Sequence, residues 1–166
     1  WWPSRSSFFG IVDLAGIPKD VYYMYQSEWT DTPVLHLFPH WNWKKGETVD
    51  VWAYYNRADE VELFLNGESL GVKSKPDDAF HVCWRDPFTP GTLKAVSRRD
   101  GKEVLTREIR TAGEPARIML IPDRSALHAD GTDLSFVTVE IQDKDGNLVP
   151  YADNPVSYTH LTLPTS

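Results

Sequence analysis

Hydrolytic chemistry needs one acid and one nucleophile or base, so paired carboxylates are the first residues to weigh. Asp77 and Asp78 are adjacent, but they follow Lys73-Ser74-Lys75-Pro76 in a stretch built as a turn, where a solvated loop is the default. Glu60 and Glu62 alternate on one predicted strand and point the same way, which a wet strand face explains. Neither pair has neighbours that would drive its two pKa values apart. Asp143-Lys144-Asp145-Gly146-Asn147 opens like a calcium loop, yet the twelfth position, where a Glu is required, is Asn154, so a hairpin turn is the better reading. His36, His40 and His81 show no ligand spacing on one element, and no metal site is expected. Ser4, Ser6 and Ser7 flank Arg5 without a Gly-x-Ser-x-Gly pattern, and Cys83, between Val82 and Trp84, reads as a packed thiol. No catalytic residue and no cofactor are assigned.

The aromatic residues stand out more than the titratable ones. Pro39-His40-Trp41-Asn42-Trp43 lies between two predicted strands, in a turn that cannot bury every ring. Two readings stay open. Aromatic faces stack on sugar C–H faces while His and Asn bond hydroxyls, which suits a carbohydrate-facing loop. Equally, the rings suit an interface with a neighbouring domain, where Trp is enriched.

These residues must be positioned by elements that change period along the chain. Tyr22, Tyr25 and Trp29, with Val21 and Met24, recur at three- and four-residue spacing behind Pro18, which predicts a helix. Thr30-Asp31-Thr32-Pro33 stops it. From Val34 the period becomes two, predicting strands at Val34–Phe38, Thr48–Tyr55, Glu60–Leu65, Ser69–Lys73, Phe80–Arg85, Thr92–Arg98 and Glu103–Arg110. Asn66-Gly67 and Asp100-Gly101 are two-residue hairpin signals. Seven short strands without a helix predict an immunoglobulin-like β-sandwich over 31–112. Ala112-Gly113-Glu114-Pro115 breaks that run, and Ala116–Ile121 and Leu134–Gln142 predict the first strands of a second sandwich over 113–154. A half sandwich would leave an apolar face and an open edge, so the chain is expected to be truncated at both ends.

Composition sets the outer limits. At 166 residues the chain is too short for a complete (β/α)₈ barrel, which takes about 250. No apolar run reaches the roughly 18 residues of a membrane span. The net charge of −7 argues against a nucleic-acid partner. One cysteine excludes an internal disulfide. The opening Trp1-Trp2-Pro3-Ser4-Arg5 is neither a signal peptide nor an initiator sequence, and is expected to be a cut edge.

Trp2 to Asp20, with Gly10-Ile11-Val12-Asp13 and Gly16-Ile17-Pro18-Lys19, followed by Tyr22-Tyr23 and Gln26-Ser27-Glu28-Trp29, resembles the end of the catalytic barrel in glycoside hydrolase family 2, in its bacterial β-galactosidase-like branch. His36-Leu37-Phe38-Pro39-His40-Trp41-Asn42-Trp43 and Val61-Glu62-Leu63-Phe64-Leu65-Asn66-Gly67 resemble the sandwich that follows that barrel. Ala129-Asp130-Gly131-Thr132-Asp133 and Asp143-Lys144-Asp145-Gly146 resemble the next immunoglobulin-like module. The resemblance implies a mainly β chain: residues 1–30 as the last helix of a (β/α)₈ barrel, then a complete and a truncated sandwich. It also implies a retaining glycosidase whose two Glu carboxyls stand about 5–5.5 Å apart, both upstream of Trp1 and absent here. Barrel active sites open at one mouth. Trp1, Trp2 and Arg5 are therefore candidates for lining or bracing it, and His40, Trp41 and Trp43 for closing its rim or docking the sandwich. The implied partners are a β-galactoside-type carbohydrate and the barrel itself, in a periplasmic or extracellular bacterial parent. A stand-alone carbohydrate-binding or adhesive sandwich is the alternative. Residues 155–166 depart from the family pattern and resemble a translated adapter tail, expected to be non-native.

Overall fold

A computed structural model describes residues 9–13 and 16–155. The chain divides into two compact units, Trp1–Thr111 and Ala112–Ser166. The first unit holds helix α1 (Asp20–Trp29) and strands β1 (Leu35–Phe38), β2 (Thr48–Tyr55), β3 (Glu60–Leu65), β4 (Glu68–Lys73), β5 (Val82–Pro87), β6 (Thr92–Arg99) and β7 (Lys102–Arg110). The second holds β8 (Arg117–Pro122) and β9 (Val137–Gln142). No helix among the described residues is long and apolar enough to cross a membrane.

In the first unit β1-β2-β5 form one antiparallel sheet and β4-β3-β6-β7 the other. Three strands face four, an immunoglobulin-like sandwich in which the fourth strand pairs with the third rather than with the fifth. Two tight hairpins set this order. Asn66 and Gly67 take φ of 53° and 88°, and Asp100 and Gly101 take 49° and 73°, left-handed conformations that turn β3 into β4 and β6 into β7. Asn66 is also fixed by its side chain, which accepts the Thr92 N–H at 2.9 Å and donates to the Pro90 carbonyl at 3.2 Å.

Alternation decides what lies between the sheets. Leu35 and Leu37, Val49, Val51 and Ala53, Val61 and Leu63, Val82 and Trp84, and Leu93 and Ala95 all point inward and are buried. Trp41, Tyr55 and Phe88 fill the remaining volume. The linker after α1 is clamped by Asn56, which accepts the Val34 N–H at 2.7 Å and donates to the Thr30 carbonyl at 3.0 Å.

The predicted strands match closely, with two differences. β5 begins at Val82, two residues after Phe80, which is exposed. β9 begins at Val137, not Leu134, because Asp123 holds the preceding residues in a loop by accepting from Ser135 Oγ and the Phe136 N–H. β8 and β9 pair antiparallel, bringing Ile118, Leu120 and Pro122 opposite Ile141, Val139 and Val137 on one face. Ile118, Leu120, Val137 and Val139 on that face are exposed.

Candidate functional site: the His40–Trp43 loop and an aromatic sheet face

Of the six site residues expected from sequence, Trp1, Trp2 and Arg5 lie outside the described residues. The other three share the loop from β1 to β2 but do different things. Trp41 has no exposed surface: its indole N–H donates to the Thr89 carbonyl at 2.9 Å, and its ring meets Phe88 edge-on at 5.2 Å. Thr111 Oγ1 donates to the Trp41 carbonyl at 2.8 Å, so the loop is tied to the end of the sandwich on both sides. Trp41 is a core residue whose ring faces no solvent. Trp43 is half-buried against the core, donates its indole N–H to the His40 carbonyl at 2.8 Å and stacks on the His40 ring at 4.9 Å. Burial lowers the His40 pKa, and His40 Nδ1 accepts the Asn42 N–H at 3.2 Å. His40 and Trp43 therefore present a neutral, pre-stacked pair at the loop surface.

The carboxylates behave as structural groups. Glu62 accepts from Ser69 Oγ at 2.7 Å and from Arg98 at 2.7 Å, and these partners hold its pKa down. Asp50 takes both Nε and Nη2 of Arg85, which lowers its pKa. Asp143 accepts the N–H groups of Gly113, Asp145 and Asn147 and the Asn147 side-chain amide, driving its pKa well below the carboxylate range. The Asp143–Asn147 stretch is thus a self-satisfied turn. A general acid needs its pKa raised. Among the described residues the resolved carboxyl shifts, including those of Asp123 and Asp130, all run downward.

The Gly10–Lys19 motif closes a compact loop before α1. Asp13 Oδ1 accepts the Ile17 N–H at 2.8 Å, Lys19 N–H donates to the Ile11 carbonyl at 3.0 Å, and Val12 bridges Pro18. Gly16 at φ 80° permits the reversal. The loop delivers α1 onto the outer face of the β1-β2-β5 sheet, where Asp20 Oδ1 meets His36 Nε2 at 2.8 Å and the Tyr23 ring stacks on His36 at 3.8 Å.

That outer face is a feature sequence reasoning missed. Pairing places Phe38, Trp52 and Cys83 in one row and His36 and Tyr54 in the next, where His81 meets Tyr54 edge-on. Phe38 packs on Tyr54 and Trp52, and Trp52 stacks on His81 at 4.0 Å and 6°. Burial is the largest cause raising the Cys83 pKa, and its Sγ leans on the Trp84 carbonyl. The Asp50–Arg85 ion pair closes one end of the pad. Outer faces of antiparallel sheets are ordinarily polar. The signal was legible as His36/Phe38 and Trp52/Tyr54 at period two, but with apolar residues on both faces nothing marked which set was inward.

A helix followed by a mainly antiparallel sandwich of three and four strands defines a β-sandwich region. Residues 118–160 match the family model for glycoside hydrolase family 2 C-terminal domain 5, and residues 46–105 match a domain of unknown function, DUF4982. The first of these matches runs into the stretch expected from sequence to be non-native. The chain is 66% identical over 158 residues to the β-galactosidase BoGH2A of Bacteroides ovatus, covering 95% of this chain and 19% of that protein. It is 30% identical over 157 residues to a β-glucuronidase of Formosa agariphila, covering 90% of this chain and 16% of that one. The crystal structure of a β-glycosidase from Bacteroides vulgatus superposes with a TM-score of 0.85 at 40% identity, over 92% of this chain and 20% of that chain. The chain thus spans about a fifth of the length of these relatives, and it belongs to the C-terminal sandwich region of glycoside hydrolase family 2.

Proposed function

We propose that this chain is the non-catalytic part of a retaining, β-galactosidase-like hydrolase that cleaves O-glycosidic bonds in carbohydrate. The observation that carries the reading is the 66% identity with the Bacteroides ovatus β-galactosidase across 158 residues. It is supported by the ion pairs and hydrogen bonds that hold Glu62 and Asp50 as structural groups of the sandwich, and the acid and nucleophile of a retaining mechanism are assigned in this reading to a barrel outside this chain. In this reading α1 is the barrel's last helix, and Trp1, Trp2 and Arg5 line or brace the barrel mouth. His40 and Trp43 form a pre-stacked rim that docks the sandwich or meets the sugar, and Trp41 anchors that rim from beneath.

The test compares chromogenic β-galactoside hydrolysis by this chain alone with hydrolysis by the longer protein that carries it, alongside a galactoside-binding titration of each. Turnover only in the longer protein, with no saturable binding by the chain alone, is expected. Turnover by the isolated chain would overturn the reading. Sugar binding by the chain without turnover in the longer protein would favour a carbohydrate-binding module instead.

A further inference from the structure

We infer that the outer face of the β1-β2-β5 sheet, centred on Trp52 and His81, is the surface on which the catalytic barrel seats. This rests on the proposed function, which supplies the barrel, and adds the face it uses.

The argument starts from α1. The helix already covers the β1 side of this face, through the Tyr23–His36 stack and the contact of Asp20 with His36, while Lys75 binds Glu28 near its far end. The packing of α1 on this sheet is against β1 and β2. A helix standing over β1 and β2 leaves room for one more element over β5. What lies there is aromatic: Trp52 stacked on His81, flanked by Phe38 and Tyr54. The pad therefore continues an interface that α1 has already begun.

The segment that enters and forms the helix also carries apolar surface. Trp29, at the end of α1, is 76% exposed, and Phe9, before the loop that leads into the helix, is 97% exposed. The exposed Trp29 calls for cover, and the half-buried Trp52 leaves part of its ring to the same cover. A helix in the outer ring of a barrel has helical neighbours on either side about 10 Å away. If α1 is one of that ring, its neighbour reaches the Trp52–His81 end of the pad. The occupant is thus apolar and helical, contributed from the amino-terminal side.

The experiment is hydroxyl-radical footprinting, read by mass spectrometry, of this chain and of the longer protein, with galactoside turnover assayed on the same longer-protein sample. Phe64, on β3 in the other sheet, is the internal reference. Trp52 and His81 are expected to react on the order of tenfold more slowly in the longer protein, as residues in a water-excluding interface do, while Phe64 is unchanged. Equal reactivity of Trp52 and His81 in the two proteins, with turnover intact, overturns the docking face and leaves the proposed function standing. Loss of turnover in a folded longer protein overturns the function on which the barrel depends. Protection of Trp52 in the isolated chain by added galactoside, or by raising the chain's own concentration, also overturns the inference, because the pad would then be a sugar platform or a self-association surface.

Discussion

Replacing Trp41 by Ala removes the largest side chain with no exposed surface in the sandwich. Truncating a buried Trp costs about 3–5 kcal/mol, combining lost transfer free energy with the cavity left behind. That range includes the edge-on contact with Phe88, of a kind worth about 0.5–1.5 kcal/mol. Thr89 is exposed, so its carbonyl can turn to water once the indole N–H is gone, and little is added for an orphaned acceptor. Against a domain stability of about 5–15 kcal/mol, the loss is a third or more of the total. With a urea m-value of about 2 kcal/mol/M, a 4 kcal/mol loss lowers the midpoint by about 2 M. Trp43→Ala, two residues on, removes a half-buried ring and should cost about 1–2 kcal/mol. Trp41→Phe keeps most of the apolar volume, loses the bond to Thr89, and should fall in the same lower range. Urea unfolding followed by far-UV circular dichroism separates the three without depending on Trp emission. A midpoint for Trp41→Ala within about 0.5 M of that for Trp43→Ala would refute the assignment of Trp41 to the core.

Gly91→Ala should cost more than about 1 kcal/mol, because Gly91 has φ 145° and an added methyl would enter the Asn66 carboxamide that fixes the β3–β4 turn; urea midpoints of the variant and of Asn66→Ala would show it. Glu62→Gln should lower stability by no more than about 1 kcal/mol, since its partners Arg98 and Ser69 lie near the surface, and should leave galactoside turnover of the longer protein unchanged. A large loss of turnover at full stability would give Glu62 a chemical role. Asp143 has its folded pKa depressed by the Gly113 N–H first and then by Asn147. Its contribution is therefore complete above the unfolded value of about 3.9 and is lost as pH falls below it toward the folded value. The second unit should lose stability below about pH 4, and Asp143→Asn should remove that part of the slope in urea titrations run between about pH 2 and 6.

How much of this was legible depends on whether a feature is local. The hairpins at Asn66-Gly67 and Asp100-Gly101 were readable because positive φ is a property of the dipeptide. The strands were readable because Val49, Val51 and Ala53 alternate with Asp50, Trp52 and Tyr54. Which of those sets faces the core was not. Size alone would have put Trp52 and Tyr54 inside and Ala53 out. The structure does the reverse for Trp52, because Trp84, Trp41 and Tyr55 already fill the space between sheets that stand about 10 Å apart. The burial of Trp41 is not legible for a related reason. A loop between strands is ordinarily at the surface, and only the bonds to Thr89 and Thr111, 48 and 70 residues away, fold this one back over the open end of the core.

The aromatic residues therefore fall into sets with different energetic roles, and the division bears on the candidate site. Trp41, Trp84, Tyr55 and Phe88 are buried and fill the core. Trp43 bonds its indole N–H to the His40 carbonyl and stacks on the His40 ring within one loop, so engaging the pair costs little side-chain ordering. His36, Phe38, Trp52, Tyr54 and His81 are held in rows by strand pairing and lean on one another, which fixes their rotamers in advance in the same way. A surface ordered beforehand gains more per unit of area when it is covered. It follows that single replacements of the half-buried Trp52 or His81 should change the isolated chain little, and should weaken the longer protein more strongly. Trp52→Ser is the cleanest case: a loss of midpoint in the longer protein at least twice that in the isolated chain is expected, and equal losses in the two would mean that the pad serves only its own sheet.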